Sequence, residues 1–218
     1  MSLAIFDLDN TLLAGDSDHA WGDYLTEIGV VDAAYHKTCN DTFYQDYLEG
    51  RLDIHKYLEF ALEPLSRYTM DELCRWREEF MRNRIEPLYL AAANRLLAEH
   101  RNRGDYLLII TATNRFVTEP IAKALGVDDL IATEPEIVEG RFTGRIQGVP
   151  SYKAGKVTRL EHWLKTHPFQ LQEACFYSDS HNDIPLLERV GRPVAVDADA
   201  ELTRVAKERG WEIMSLRA

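Results

Sequence analysis

Asp7 and Asp9 stand one residue apart at the end of a short apolar run, Leu3-Ala4-Ile5-Phe6, and Thr11 follows at the same interval. Two later clusters close apolar runs in the same way. Thr111-Ala112-Thr113-Asn114 follows residues 106–110, and Ser178-Asp179-Ser180-His181-Asn182-Asp183 follows residues 174–177. Four carboxylates gathered without basic compensation would raise one another's pKa values. A divalent cation removes that conflict, and an all-oxygen donor set favours Mg²⁺. Mg²⁺ readily takes substrate phosphates, so phosphoryl transfer is the chemistry this set suits. A lysine can hold a phosphate as a point charge, and Lys156 is the candidate, with Lys153 as its rival. Thr111 and the backbone N–H groups after it, at a strand-to-helix turn, are suited to bind phosphate oxygens.

Bringing these clusters together requires parallel strands. An apolar run that meets turn-type residues reads as a buried parallel strand, and ligands of such sheets lie beyond the carboxyl ends of the strands. Strands are expected over residues 3–6, 106–110, 174–177 and 193–196, with an edge strand at 211–214 and a hairpin over 136–146. Helices alternate with them. One has Val117, Ile121 and Leu125 inward, and Pro120 means that it starts near Thr118 or is kinked. Others cover residues 153–165, 184–190 and 199–209, and one runs from Pro87 to Gly104. The pattern is α/β, a Rossmann-like parallel sheet.

Between the first strand and the second, the pattern is helical throughout. Trp21, Tyr24, Leu25 and Ile28 share a face, and a tyrosine-rich stretch covers residues 31–47. Asp53 caps a helix that ends before Pro64, and Thr69 with Glu72 forms a capping box. Residues 15–85 are therefore expected to form an all-helical cap inserted after the first strand, over a core of residues 1–14 and 86–218.

The formal net charge of -11 and the absence of a basic block argue against nucleic-acid or anionic-membrane partners. Three scattered cysteines fit a reducing compartment. No apolar run approaches a membrane span, and no basic segment precedes the acidic residues at the start. A cytoplasmic enzyme is expected. Oligomeric state is not legible from these features.

The ordered set Asp-x-Asp-x-Thr, strand plus Thr, Lys, and Ser-Asp-x-x-x-Asp resembles the haloacid dehalogenase superfamily of aspartate-nucleophile phosphatases. The resemblance frames nearly the whole chain and implies roles. Asp7 would attack phosphorus and Asp9 would move protons at the leaving oxygen and the attacking water. Asp7, the Asp9 carbonyl, Asp179 and Asp183 would form the Mg²⁺ site, while Thr111, Ala112, Asn182 and Lys156 would meet the phosphate. Ala112 and Thr113 stand where phosphoserine phosphatases usually carry glycines, and Tyr177-Ser178 replaces a common glycine before Asp179.

The helical insert resembles the type-1 cap of the phosphoserine-phosphatase-like branch. There Asp16 matches an acidic residue that holds the substrate's ammonium; its other reading is the cap of the helix starting near Ser17. The arginine expected for a phosphoserine carboxylate is missing: Glu59 or Ala61 stands at its place, and Arg51 is the one arginine in residues 50–62. An ammonium partner without a carboxylate partner favours a phosphorylated amine. The stretch from Ala14 to Trp21 resembles the subgroup that includes histidinol-phosphate phosphatases, so histidinol phosphate is the expected substrate. Phosphoserine, another small metabolite phosphate, or transfer to an acceptor other than water are the alternatives. A phosphorylation-dependent regulatory domain is the alternative from another class; Asp9, which would speed aspartyl-phosphate breakdown, argues against it. His19 and His181 read as non-catalytic, with His181 the better placed to touch substrate, and the four tryptophans read as core.

Overall fold

The computed structural model describes residues 2–217. Its first strand, β1 (Leu3–Phe6), is buried along its whole length. Leu3 and Ile5 join one apolar cluster, while Ala4 and Phe6 join the other. A strand with helices on both faces must be apolar on both, which is why the run shows no alternation.

The chain then enters the helical cap: α1 (Ser17–Glu27), α2 (Ala33–Leu48), α3 (Ile54–Arg67) and α4 (Met70–Phe80). Asp53 caps α3, and the capping box of Thr69 and Glu72 opens α4. α3 does not stop before Pro64 but runs through it to Arg67. Proline removes one hydrogen bond there, and burial of Leu62, Pro64 and Leu65 on the packed face outweighs the loss. A π-helical turn (Met81–Ile85) and a 3₁₀ turn (Glu86–Leu88) lead back to the core. The chain leaves and re-enters at one place, where Leu13 bridges Tyr89 and the Ala14 N–H donates to the Leu88 carbonyl at 2.9 Å. The helix expected from Pro87 begins instead as α5 (Ala91–Asn102), because Tyr89 and Leu90 are held extended beside that bridge.

β2 (Tyr106–Asn114) is longer than its apolar run, since Thr111 to Asn114 stay extended, and its register against the next strand shifts between Ile110 and Asn114. α6 (Arg115–Leu125) therefore starts at Asn114, whose side chain caps it, and not at Thr118. Pro120 lies inside α6 and leaves the Phe116 carbonyl without its helical donor. Arg77 of α4 supplies one instead, from Nη1 at 2.7 Å. A gap in a core helix is thus filled from the cap.

The remaining elements are β3 (Asp129–Thr133), the hairpin β4 (Pro135–Val138) and β5 (Arg141–Ile146), α7 (Ala154–Leu164), β6 (Cys175–Ser178), α8 (Ile184–Leu187), β7 (Arg192–Val196), α9 (Ala200–Arg209) and β8 (Glu212–Met214). β5 packs along α3 and so props the cap. The main sheet has the order β3-β2-β1-β6-β7-β8, all parallel. The chain winds outward from β1 to β3, then returns to β6 and winds the other way. β1 and β6 flank the switch point, where such sheets open a crevice at their carboxyl ends. No helix among the described residues is long and apolar enough to cross a membrane.

Candidate active site

Asp7 lies one residue past β1, and its N–H still donates to the Tyr177 carbonyl at 2.9 Å. Asn10 then turns the chain with φ 55°, a left-handed conformation that asparagine tolerates. The turn carries Thr11 back to the neighbouring strand end. Its Oγ1 donates to Asp179 Oδ1 at 2.9 Å and accepts from the Asp179 N–H at 3.0 Å. One threonine therefore ties the first cluster to the third.

Lys156 is buried at 2% exposure, with Nζ 2.7 Å from Asp7 Oδ1 and 2.8 Å from Asp183 Oδ2. Its rival Lys153 turns the other way and donates to the Gly50 carbonyl of the cap at 2.7 Å. Asp183 is held further by the Ser178 hydroxyl at 2.7 Å, a contact that a glycine at 178 would lack. Burial pushes the Asp7 carboxyl upward against the pull of Lys156. Asp179 is also raised, by burial and then by Asp7.

Asp9 points away from this group, toward the cap. Its Oδ1 accepts from the Ser17 N–H at 2.6 Å, and its Oδ2 accepts from Thr113 Oγ1 at 2.8 Å and, more weakly, from Thr111 Oγ1 at 3.4 Å. Burial, with Asp16 nearby, raises its pKa to about 6. Thr113 is a site residue that the motifs do not point to. Its signal is the strand period: residues 111 and 113 face one side when β2 stays extended. That extension also corrects the expected phosphate cradle. The strand-to-helix turn comes three residues later than Thr111, and the Thr113 N–H is already taken by Thr111 Oγ1 at 3.2 Å.

Above Asp7 and Asp9 opens a cleft floored by Thr111, Ala112 and Thr113 and walled by Asp16, Asp18, His19, Asn40, Phe43, Tyr44, Tyr47, Leu52, Ile54 and Tyr57. Among the described residues no lysine or arginine lines it. Asp16 caps α1, with Oδ1 accepting from the Asp18 and His19 N–H groups, and the residue also lines the cleft. Burial raises it to about 6. Asn182 does not line the cleft. Its Nδ2 donates to the Tyr47 carbonyl and its Oδ1 accepts from the Tyr152 hydroxyl, so it ties core to cap. His181 is likewise turned away, with Nδ1 2.7 Å from Asp199 Oδ2, and the histidine in the cleft is His19. Arg51 pairs with Asp46 and Glu49 on the surface.

Asp7, Asp179 and Asp183 offer oxygen donors alone, and among the described residues Lys156 is the cation in contact with Asp7 and Asp183. That set fits a hard divalent cation.

The family model for haloacid dehalogenase-like hydrolases matches residues 4–188. The chain belongs to that family. This haloacid dehalogenase-like hydrolase is 46% identical to a histidinol-phosphatase of Neisseria meningitidis serogroup C over 99% of both chains. It is 31% identical to a phosphoserine phosphatase, SerB1, of Mycobacterium tuberculosis, over 98% of its own length and 70% of the relative's. Among solved structures, a protein of unknown function from Bordetella pertussis Tohama I superposes with a TM-score of 0.92 at 44% identity, covering 99% and 98% of the two chains. A substrate-bound phosphoserine phosphatase superposes with a TM-score of 0.73 at 19% identity over 99% and 92%, a likeness of fold. The haloacid dehalogenase-like hydrolase thus has its parallel core and helical cap in common with solved relatives.

Proposed function

We propose that this hydrolase is a Mg²⁺-dependent phosphomonoesterase that works through an aspartyl-phosphate and acts on a small phosphorylated amine, with histidinol phosphate as the substrate. The cleft carries this reading: two carboxylates, Asp16 and Asp18, and four aromatic rings stand above Asp7, with no lysine or arginine in the lining among the described residues. An ammonium finds a partner there and a carboxylate does not. The 46% identity to a histidinol-phosphatase supports the same substrate.

An Asp7 carboxylate oxygen forms the bond to phosphorus while the ester P–O bond breaks. Asp9, whose raised pKa keeps it partly protonated near neutrality, gives its proton to the leaving oxygen. It then takes a proton from water, which attacks phosphorus and frees Asp7 and inorganic phosphate. Lys156 steadies the phosphate oxygens beside Asp7, and Thr111 and Thr113 aim the Asp9 carboxyl. Asp7, the Asp9 carbonyl, Asp179 and Asp183 would hold Mg²⁺, which when bound neutralises charge on the phosphate.

The test is a hydrolysis panel of histidinol phosphate, phosphoserine, phosphoethanolamine and a sugar phosphate, with Mg²⁺ or with chelator, and with Asp7→Asn as the blank. The expected result is Mg²⁺-dependent turnover, fastest on histidinol phosphate and lost in the blank. A preference for phosphoserine would sink the substrate assignment, and turnover surviving in Asp7→Asn would sink the mechanism.

A further inference from the structure

Asp16 accounts for one cationic group, yet the cleft holds a second carboxylate farther from the reacting centre. Asp18 lies on the first turn of α1, where its own N–H is spent on Asp16. Its carboxylate shares the cleft lining with Tyr57 of α3, and the charged or titratable groups that face it are Asp9, Asp16 and His19, with no lysine or arginine in that lining among the described residues. A half-buried carboxylate beside two others, with no cation to offset it, is undercompensated. That state persists in a folded protein when a ligand completes it.

A second observation points the same way. Immediately past Asp18, Asn40 and Tyr57, a smaller cavity begins, lined also by Trp21, His36, Phe60 and Ala61. Trp21 and His36 are 2% and 5% exposed, and neither Trp21 Nε1 nor His36 Nε2 has a hydrogen-bond partner. Buried donors and acceptors are nearly always paired. Unspent polar capacity therefore lies beside the undercompensated carboxylate, within an aromatic wall.

The geometry points to a second recognition site: Asp18, backed by Tyr57, accepts a hydrogen bond from a ring nitrogen of the substrate, while Asp16 takes the ammonium nearer the phosphate. The substrate class is then an amino-alcohol phosphate bearing a nitrogen heteroaromatic ring, of which imidazole is one. This rests on the phosphorylated-amine reading and adds a separate contact to it. The aromatic walls of Phe43, Tyr44 and Tyr57 suit a flat ring, and an N–H donor would draw on the Asp18 charge in a setting where charged hydrogen bonds are strong.

The experiment compares kcat/KM for three esters on the Mg²⁺-loaded full chain: histidinol phosphate, 2-aminopropyl phosphate, which keeps the amine and lacks the ring, and propyl phosphate, which lacks both. The ratio of the second to the third reports the amine site. The ratio of the first to the second reports the ring site, and in wild-type protein it should be about 10- to 100-fold. Asp18→Asn should collapse the ring ratio toward one, and Tyr57→Phe should lower it in part, mainly through KM. A merely structural role for Asp18 would lower the folded fraction and move all three esters together, leaving the ratio intact. A ring ratio unchanged within about twofold in Asp18→Asn would overturn the assignment. An amine ratio near one in wild-type protein would instead overturn the amine reading itself.

Discussion

Lys156 Nζ sits 2.7 Å from Asp7 Oδ1, and both side chains are shut off from solvent. The same ammonium reaches Asp183 at 2.8 Å, so one cation holds two buried carboxylates, and it opposes the burial that pushes Asp7 toward its neutral form. Removing it leaves buried charge unpaired. Lys156→Met is expected to cost about 3–5 kcal/mol of stability at neutral pH and to lower kcat by about 10²–10³-fold. Urea unfolding and steady-state rates check the two effects, and stability equal to wild type would contradict the first.

Asp16 sets a pH dependence for binding. Burial, and then Asp18, raises it to about 6, so it is ionised above that pH and neutral below. Only the ionised form holds an ammonium. As pH falls below about 6, KM for the aminopropyl ester should rise relative to that for propyl phosphate, approaching tenfold per unit. Titration of the phosphate cancels in this ratio. Asp16→Asn should flatten the profile, and a flat profile in wild-type protein would show that Asp16 serves only to cap α1.

Asp18 carries the opposite sign for stability. Its folded pKa is raised to about 7 from 3.8, with burial the main cause. Ionisation therefore costs nothing below the unfolded value, costs progressively more between pH 4 and 7, and costs fully above. Asp18→Asn should raise Tm by about 2–4 °C at pH 8 and by less as pH approaches 4. Thermal melts across that range test it, and a lower Tm at pH 8 would contradict it.

The Arg77 contact to the Phe116 carbonyl exists because Pro120 cannot make one. Arg77→Ala should cost about 1–3 kcal/mol and loosen the cap. In a Pro120→Ala background the helix supplies its own N–H, so the same change should cost less. Urea unfolding of the double-mutant cycle measures the difference, and purely additive costs would disprove the coupling.

The sheet is legible in the sequence because Leu3 to Phe6, Ile109, Ile110 and Phe176 leave no choice but burial on both faces. The polar clusters at the strand ends are legible for the same reason, since topology carries them to one edge. What the sequence does not reveal depends on contacts between distant residues. α3 passes Pro64 because of what its lower turn buries, and β2 runs on to Asn114 because Thr133 Oγ1 holds the Ala112 carbonyl at 2.7 Å. Asn182 looks like a phosphate ligand by its place in a motif, yet its amide is turned to the Tyr47 carbonyl, 135 positions away. Asp18 carries no signal until the fold of the cap brings Tyr57 of α3 into the same cleft.

Two core side chains, Lys153 and Asn182, grip the end of α2 and the loop after it by the main-chain carbonyls of Gly50 and Tyr47. Carbonyls are the same in every residue, so this grip makes no demand on the side chains that the loop presents. Gly50 alone is constrained: its φ is +67°, and a Cβ there would meet His181 Nε2 at 2.6 Å. Selectivity and docking are thereby inherited separately, and the inner wall of the cap is free to be rewritten for a new metabolite while the lid continues to seat in the same place.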